Sequence, residues 1–230
     1  MDYSTKNILA IDCSSSELKL GFQFGGDRMV KSAFPAEQSH SVLIMKSIAN
    51  LLESANCKVS DINAIVVATG PGSFTGLRIG IACAKGMASA LGIPVVGVSL
   101  LDLSVYKLAG LGKDIKVVFP FKKGSYFVAD LANGVINQSE IKVVTQEELK
   151  AHLNGKLAAG IGEIDLGKLV ETKEYIVDSG KTAFDATELI YIGIERLNQN
   201  KIEDLAKLEP LYLQKSQAEI KFEQNRNRQS

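Results

Sequence analysis

Apolar positions along this chain change period several times, and each change marks an element. Residues 7–12 (NILAID) form a short apolar run, and Glu17–Phe24 (ELKLGFQF) alternates with a period of two, as a half-buried strand does. Gly25-Gly26 separates that run from residues 28–34 (RMVKSAF), and two glycines between strand patterns give a tight hairpin because both tolerate positive φ. A three-stranded meander is expected. From Ser39 the spacing becomes helical: Ile44, Ile48, Leu51 and Ala55 recur on one face, and Val42, Met45, Ala49 and Leu52 widen the stripe to about half the circumference over residues 41–57. Residues 62–68 (INAIVVA) read as a strand buried on both faces. Gly70-Pro71-Gly72-Ser73 is a turn, Phe74–Leu91 a second helix, and residues 95–98 a strand introduced by Gly92-Ile93-Pro94.

The order strand, strand, strand, helix, strand, helix, strand resembles the repeating unit of the actin and sugar-kinase superfamily. The expected fold class is therefore α/β, actin-like (acetate and sugar kinase/actin ATPase superfamily), with two lobes of which the second is reduced. A boundary near residues 99–104 divides an amino-terminal lobe, 1–102, from a smaller carboxyl-terminal lobe, 103–230. Beyond it the pattern predicts strands at 115–119, 126–131 and 141–144. Thr145 with Glu148 forms one capping box, and Asp185 with Glu188 another for the helix Ala186–Asn198. From Gln214 the chain is polar, with Lys215, Lys221, Arg226 and Arg228 against Glu219 and Glu223.

Composition narrows the function classes. With 230 residues, 46% of them hydrophobic, the chain can bury a full core. Lys plus Arg equals Asp plus Glu at 26 each, so no overall field draws it to nucleic acid or to an acidic membrane. The three cysteines (Cys13, Cys57, Cys83) lack metal-type spacing and read as small buried hydrophobes. The opening Met1 to Lys6 is polar, without the basic start and apolar core of a signal peptide, which predicts a cytoplasmic, reducing setting. The Gly- and Ala-rich second helix carries Arg78 and Lys85, which makes it a buried soluble helix and not a membrane span.

Candidate chemistry is sparse. The run TGPGSFTGLR over residues 69–78 joins a strand to a helix. Ser73 can cap that helix and its first amides can hold an anion, but no Gly-Lys-Ser/Thr follows as in a Walker loop. The plainer reading is close packing, supported by the small-residue seam Gly76, Gly80, Ala84 and Ala88. Asp12 followed by Ser14-Ser15-Ser16 sits where actin-type ATPases carry an acidic residue and a phosphate loop, yet the loop lacks glycine and no second phosphate or adenosine motif follows. Ala159-Gly160-Ile161-Gly162-Glu163 is the nearest candidate. His40 precedes the first long helix, where metal-binding members of the superfamily place a second His four residues on; here that position is Ile44. With His152 distant, no metal set or Ser-His-Asp order is legible, and neither a cofactor nor a metal is expected. On the second helix Arg78 and Lys85 share one narrow polar stripe. Both helices thus look covered twice, by their own sheet and by either a partner or the second lobe.

Together, NILAID with its serine loop, His40-Ser41 opening a helix, TGPGSFTGLRIGIA, Gly86-Met87-Ala88, the run from Gly92 to Ser99 and Glu209-Pro210-Leu211-Tyr212-Leu213 resemble the TsaB (YeaZ) family over residues 8–103 and at the carboxyl-terminal signature. Where that family shows Asp-Ala-Arg after a strand, this chain has Phe119-Pro120-Phe121-Lys122-Lys123. The resemblance implies a non-catalytic bacterial subunit that pairs through its two amino-terminal helices with the larger paralogue TsaD, which bears the metal and nucleotide site, or with a second copy of itself. With the ATPase TsaE, that pair transfers threonylcarbamoyl from an adenylate to the adenosine beside the anticodon, so tRNA is met only within the complex. Mapped onto this chain, the expected interface is Leu43, Ser47 and Asn50 with Arg78, Ala82 and Lys85. The alternatives are an ATP-dependent phosphotransferase of the actin superfamily, supported by Asp12 and its serines, and a glycoprotease-type metallopeptidase.

Overall fold

In the computed structural model, which describes residues 2–35, 40–162, 164–170, 177 and 184–213, the first strands form as their pattern requires. Strand β1 (Ile8–Asp12) pairs antiparallel with β2 (Glu17–Phe24), which pairs along its length with β3 (Arg28–Pro35). Gly25 and Gly26, at φ 57° and 94°, make the hairpin turn. On the other side of β1 lie β4 (Ala64–Gly70) and then β5 (Val95–Ser99), both parallel, giving the order β3-β2-β1-β4-β5. Helices α1 (His40–Ser54) and α2 (Phe74–Leu91) make the crossovers. The first is shorter than the sequence pattern suggests, because Asn56 turns left-handed at φ 55° and ends it.

The period of two sorts the sheet's side chains between two cores. Leu9, Ile11, Leu20, Phe22, Ile65 and Val67 face α1 and α2, while Ile8, Ala10, Ala64 and Val66 face the other way. That second core also holds α3 (Leu100–Leu108) and α6 (Ala186–Asn198), together with Val117, Phe119, Phe127 and Ala129 from a second sheet. The second sheet comprises β6 (Ile115–Lys122), β7 (Ser125–Ala132), β8 (Val135–Ile136), β9 (Lys142–Thr145) and β10 (Ala158–Gly160). Its outer face packs Val118, Val128 and Val144 against Leu149 and Leu153 of α4 (Gln146–Leu153) and Leu166 of α5 (Leu166–Val170).

Four elements escaped the sequence pattern. Helix α3 follows β5 directly, and its Ser99–Asp102 capping box was a legible sign of it. Strands β8 and β10 and helix α5 are too short to show a period. Both foreseen boxes form, at Thr145–Glu148 and Asp185–Glu188. Helix α6 follows the second sheet in the chain but packs on β1, β2, β4 and β5, so the polypeptide crosses back to the first sheet.

From α6 the chain continues as a strap over residues 201–213. Strand β5 has β4 on one side only, and an unpaired strand edge exposes carbonyls that invite another chain. Here the Glu203 amide donates to the Val95 carbonyl at 3.0 Å and the Arg196 guanidinium donates to that of Gly97. Further along, the Leu211 amide donates to the Thr69 carbonyl at 2.7 Å. Leu208, 4% exposed, anchors the strap in the α1–α2 core. Replacing it should leave a cavity: Leu208→Ala is expected to cost about 3 kcal/mol in urea denaturation and to strip the Glu203 and Leu211 amides of exchange protection.

Candidate docking surface and the loop after the first strand

The loop after β1 and the start of α2 are pressed together backbone to backbone. A Cβ on Gly76 would lie 2.1 Å from the Cys13 carbonyl oxygen, and one on Gly72 would lie 2.2 Å from that of Ser14, so neither position admits a side chain. The Ser73 amide donates to the Ser14 carbonyl at 2.7 Å, and the Ser73 hydroxyl accepts from the Gly76 amide at 3.2 Å. Two of the amides at this helix end, those of Ser73 and Gly76, are therefore engaged within the chain. The seam continues inward, with Gly80, Ala84 and Ala88 all buried. The glycines serve close packing.

Asp12 is fully buried, and one carboxylate oxygen accepts from the Ser14 amide at 2.8 Å. Its other oxygen has no hydrogen-bond partner among the described residues. Burial pushes its pKa up, partly offset by the Ser14 hydrogen bonds and by Lys19 and His40. His40, 9% exposed, opens α1, and its Nε2 likewise lacks a partner among the described residues, while Ile44 sits in the core. Among the described residues no three His, Cys, Asp or Glu side chains converge as a metal site, and no helix is long and apolar enough to cross a membrane.

A separate cleft of about 360 Å³ opens between the carboxyl end of β5 and the strap, lined by Ser99, Asp102, Arg196, Glu203, Lys207 and Glu209 among others. Its Arg196 is already engaged by Asp102 at 2.7 Å and by the Gly97 carbonyl. Gly162, in the run once suggested as an adenosine site, follows β10, and Glu163 lies outside the described residues.

On the outer side of α1 and α2 the expected interface residues divide. Asn50 and Ala82 are exposed, Leu43 and Lys85 are half-buried, and Ser47, 5% exposed, turns inward. Arg78 is exposed but occupied: its guanidinium lies 4.0 Å over the Phe74 ring, and its Nε donates to the Tyr212 hydroxyl at 2.9 Å. The Lys85 ammonium donates to the Leu208 carbonyl at 3.2 Å. The polar stripe on α2 thus holds the strap. The open face of α1 is mixed: Val42 is 66% exposed and Met45 53%, with Ala49 exposed on the same side, and Lys46, Asn50 and Glu53 stand exposed next to them, while α2 exposes Ala82 and Gly86. The sequence pattern had placed Val42, Met45 and Ala49 on the apolar stripe, and only packing shows that this part of the stripe faces outward. Among the described residues, the second sheet belongs to the core on the opposite face of the first sheet, while the strap reaches the α1–α2 side through Leu208.

Known proteins agree with this architecture. A family model described as TsaD, tRNA N6-adenosine threonylcarbamoyltransferase, matches residues 35–118. Among curated proteins, the tRNA threonylcarbamoyladenosine biosynthesis protein TsaB of Bacillus subtilis is 29% identical over 94% of this chain and 97% of its own length. TsaB of Escherichia coli is 25% identical over 92% and 96%. The chain is thus similar to the TsaB (YeaZ) family along nearly its whole length. In fold it is similar to YeaZ from Pseudomonas aeruginosa, with TM-score 0.68, 20% identity and coverage of 90% of this chain and 99% of that one. It is also similar to a Bacteroides thetaiotaomicron protein described as having an actin-like ATPase fold, with TM-score 0.50, 8% identity and coverage of 82% and 96%. The fold of the chain is thus the actin-like α/β fold expected from the order of elements.

Two outcomes test the packing of the loop after β1. Gly76→Ala should cost about 3 kcal/mol or more of stability, measured by urea denaturation, because the obstacle is backbone and cannot swing aside. Asp12→Asn should gain on the wild type as pH rises. A raised carboxyl pKa in the folded state gives stability that is present below the unfolded value near 4 and lost as pH climbs through the folded value, by at most about 1.4 kcal/mol per pH unit. The difference in unfolding free energy between variant and wild type, followed from pH 4 upward, checks the sign.

Proposed function

We propose that the chain acts in the formation of threonylcarbamoyladenosine on tRNA as a non-catalytic cytoplasmic subunit, whose α1–α2 face docks the homologous lobe of a TsaD-type threonylcarbamoyltransferase. The name of its full-length relatives supports the pathway. The TsaD family model supports the partner, since its match over residues 35–118 includes α1 and α2. Two chains sharing one lobe can meet about a pseudo-twofold axis, helix pair against helix pair, as isologous interfaces do. In the absence of TsaD the same face pairs two copies of this chain. A TsaE-type ATPase joins the assembled pair, and tRNA is met by the assembly, in keeping with the balance of 26 basic and 26 acidic residues on this subunit.

The observation that carries this reading is the exposure of Val42 and Met45 on a helix pair that packs on the sheet on one side and is tied to the strap on another. The reading also matches the start of α2, where the Ser73 and Gly76 amides that could hold a phosphate bond within the chain. Arg78 and Lys85 are poor probes of docking, because changing them also releases the strap. Val42→Asp with Met45→Asp is the cleaner variant. In titration calorimetry against TsaD it should lose at least about a hundredfold in affinity, from the charge buried at an apolar interface, with an unchanged melting temperature. Wild-type affinity in that variant removes this face from the interface.

A further inference from the structure

Three sulfur atoms meet between α1 and α2. Cys83 and Met87 stand one helical turn apart on α2, and their sulfurs are 3.9 Å apart. Met45 crosses from α1 to place its thioether 3.6 Å from the Cys83 sulfur. Met87 is buried and Cys83 half-buried, while Met45 is 53% exposed and forms the side open to solvent. For an ion bound in a plane by three sulfurs at about 2.3 Å, the ligands must lie about 4 Å from one another, which the two separations from Cys83 approach. Each Met has three rotatable bonds with which its sulfur can adjust to the third side of that triangle.

We propose that Met45, Cys83 and Met87 form a binding site for a soft monovalent metal ion, with copper(I) as the best-fitting species. Thiolate and thioether donors select copper(I) over harder ions, and no His, Asp or Glu joins Cys83 in a metal-binding group of three among the described residues. The charge balance suits an apolar surface. The ion arrives as copper(I), the Cys83 thiol releases its proton to solvent, and the thiolate–copper(I) pair is neutral, so no electron moves and no net charge is left on the face. Desolvation raises the pKa of the free thiol, so without an ion Cys83 stays protonated and forms part of the apolar surface. This inference stands on the sulfur geometry and not on docking, although ion and partner would contend for the same face.

The test uses the full chain alone, under anaerobic reducing conditions, titrated with copper(I) against a chromophoric copper(I) chelator. One equivalent should be retained, with an X-ray absorption spectrum fitted by three sulfurs at about 2.3 Å. Cys83→Ser and the volume-conserving pair Met45→Leu with Met87→Leu should each lose at least about tenfold in affinity, and Cys57→Ser none. Circular dichroism and melting curves of the variants should match the wild type. A wild-type chain stripped completely by the chelator, or Cys83→Ser and the double Leu variant binding as the wild type does, would overturn the site.

Discussion

Helix α2 is held by a contact that no side chain could survive. Its first turn lies so close to the Cys13–Ser14 backbone that Gly72 and Gly76 must lack a Cβ, and the same approach lets the Ser73 amide reach the Ser14 carbonyl. Much else follows from that contact. The helix is seated with its small-residue seam inward and with the Ser73 and Gly76 amides engaged within the chain, so its amino end is tied to the loop after β1. Asp12, at the end of β1, is sealed beneath the joint with one oxygen bonded to the Ser14 amide. A position that carries an acidic group for nucleotide chemistry in actin-type enzymes here sits inside a packed junction.

With its seam fixed, α2 can be read side by side. One side meets the sheet and another meets α1, while Arg78 and Lys85 tie a third to the strap through Tyr212 and the Leu208 carbonyl. The strap satisfies the Val95 carbonyl at the edge of β5, and Arg196 of α6 that of Gly97, so the strap both protects a sheet edge and fixes the setting of the helix. What remains is the outward strip shared with α1, where Val42, Met45, Ala82 and Cys83 are grouped. Among the described residues the second sheet does not use that strip, since its apolar inner face packs on the opposite side of the first sheet.

The amino acids alone determined the first lobe almost entirely. Local rules suffice for a glycine pair between alternating runs, an apolar stripe at helical spacing, a Ser-x-x-Gly cap or a Thr-x-x-Glu box, because each depends on residues only a few positions apart. They likewise placed an excess of apolar positions on α1 and α2. Tertiary structure decided which part of that excess faces out. Ser47 turned inward, and Val42 and Met45 turned outward, because the seating of each helix depends on a sheet assembled from strands far apart in the chain. The engagement of Arg78 by Tyr212 and of Lys85 by Leu208, across 134 and 123 residues, leaves no trace in either local pattern. The return of α6 to the first sheet and the meeting of Met45 with Cys83 are of the same kind. A sequence records what a residue prefers, and only the closed fold decides which distant residue is there to meet it.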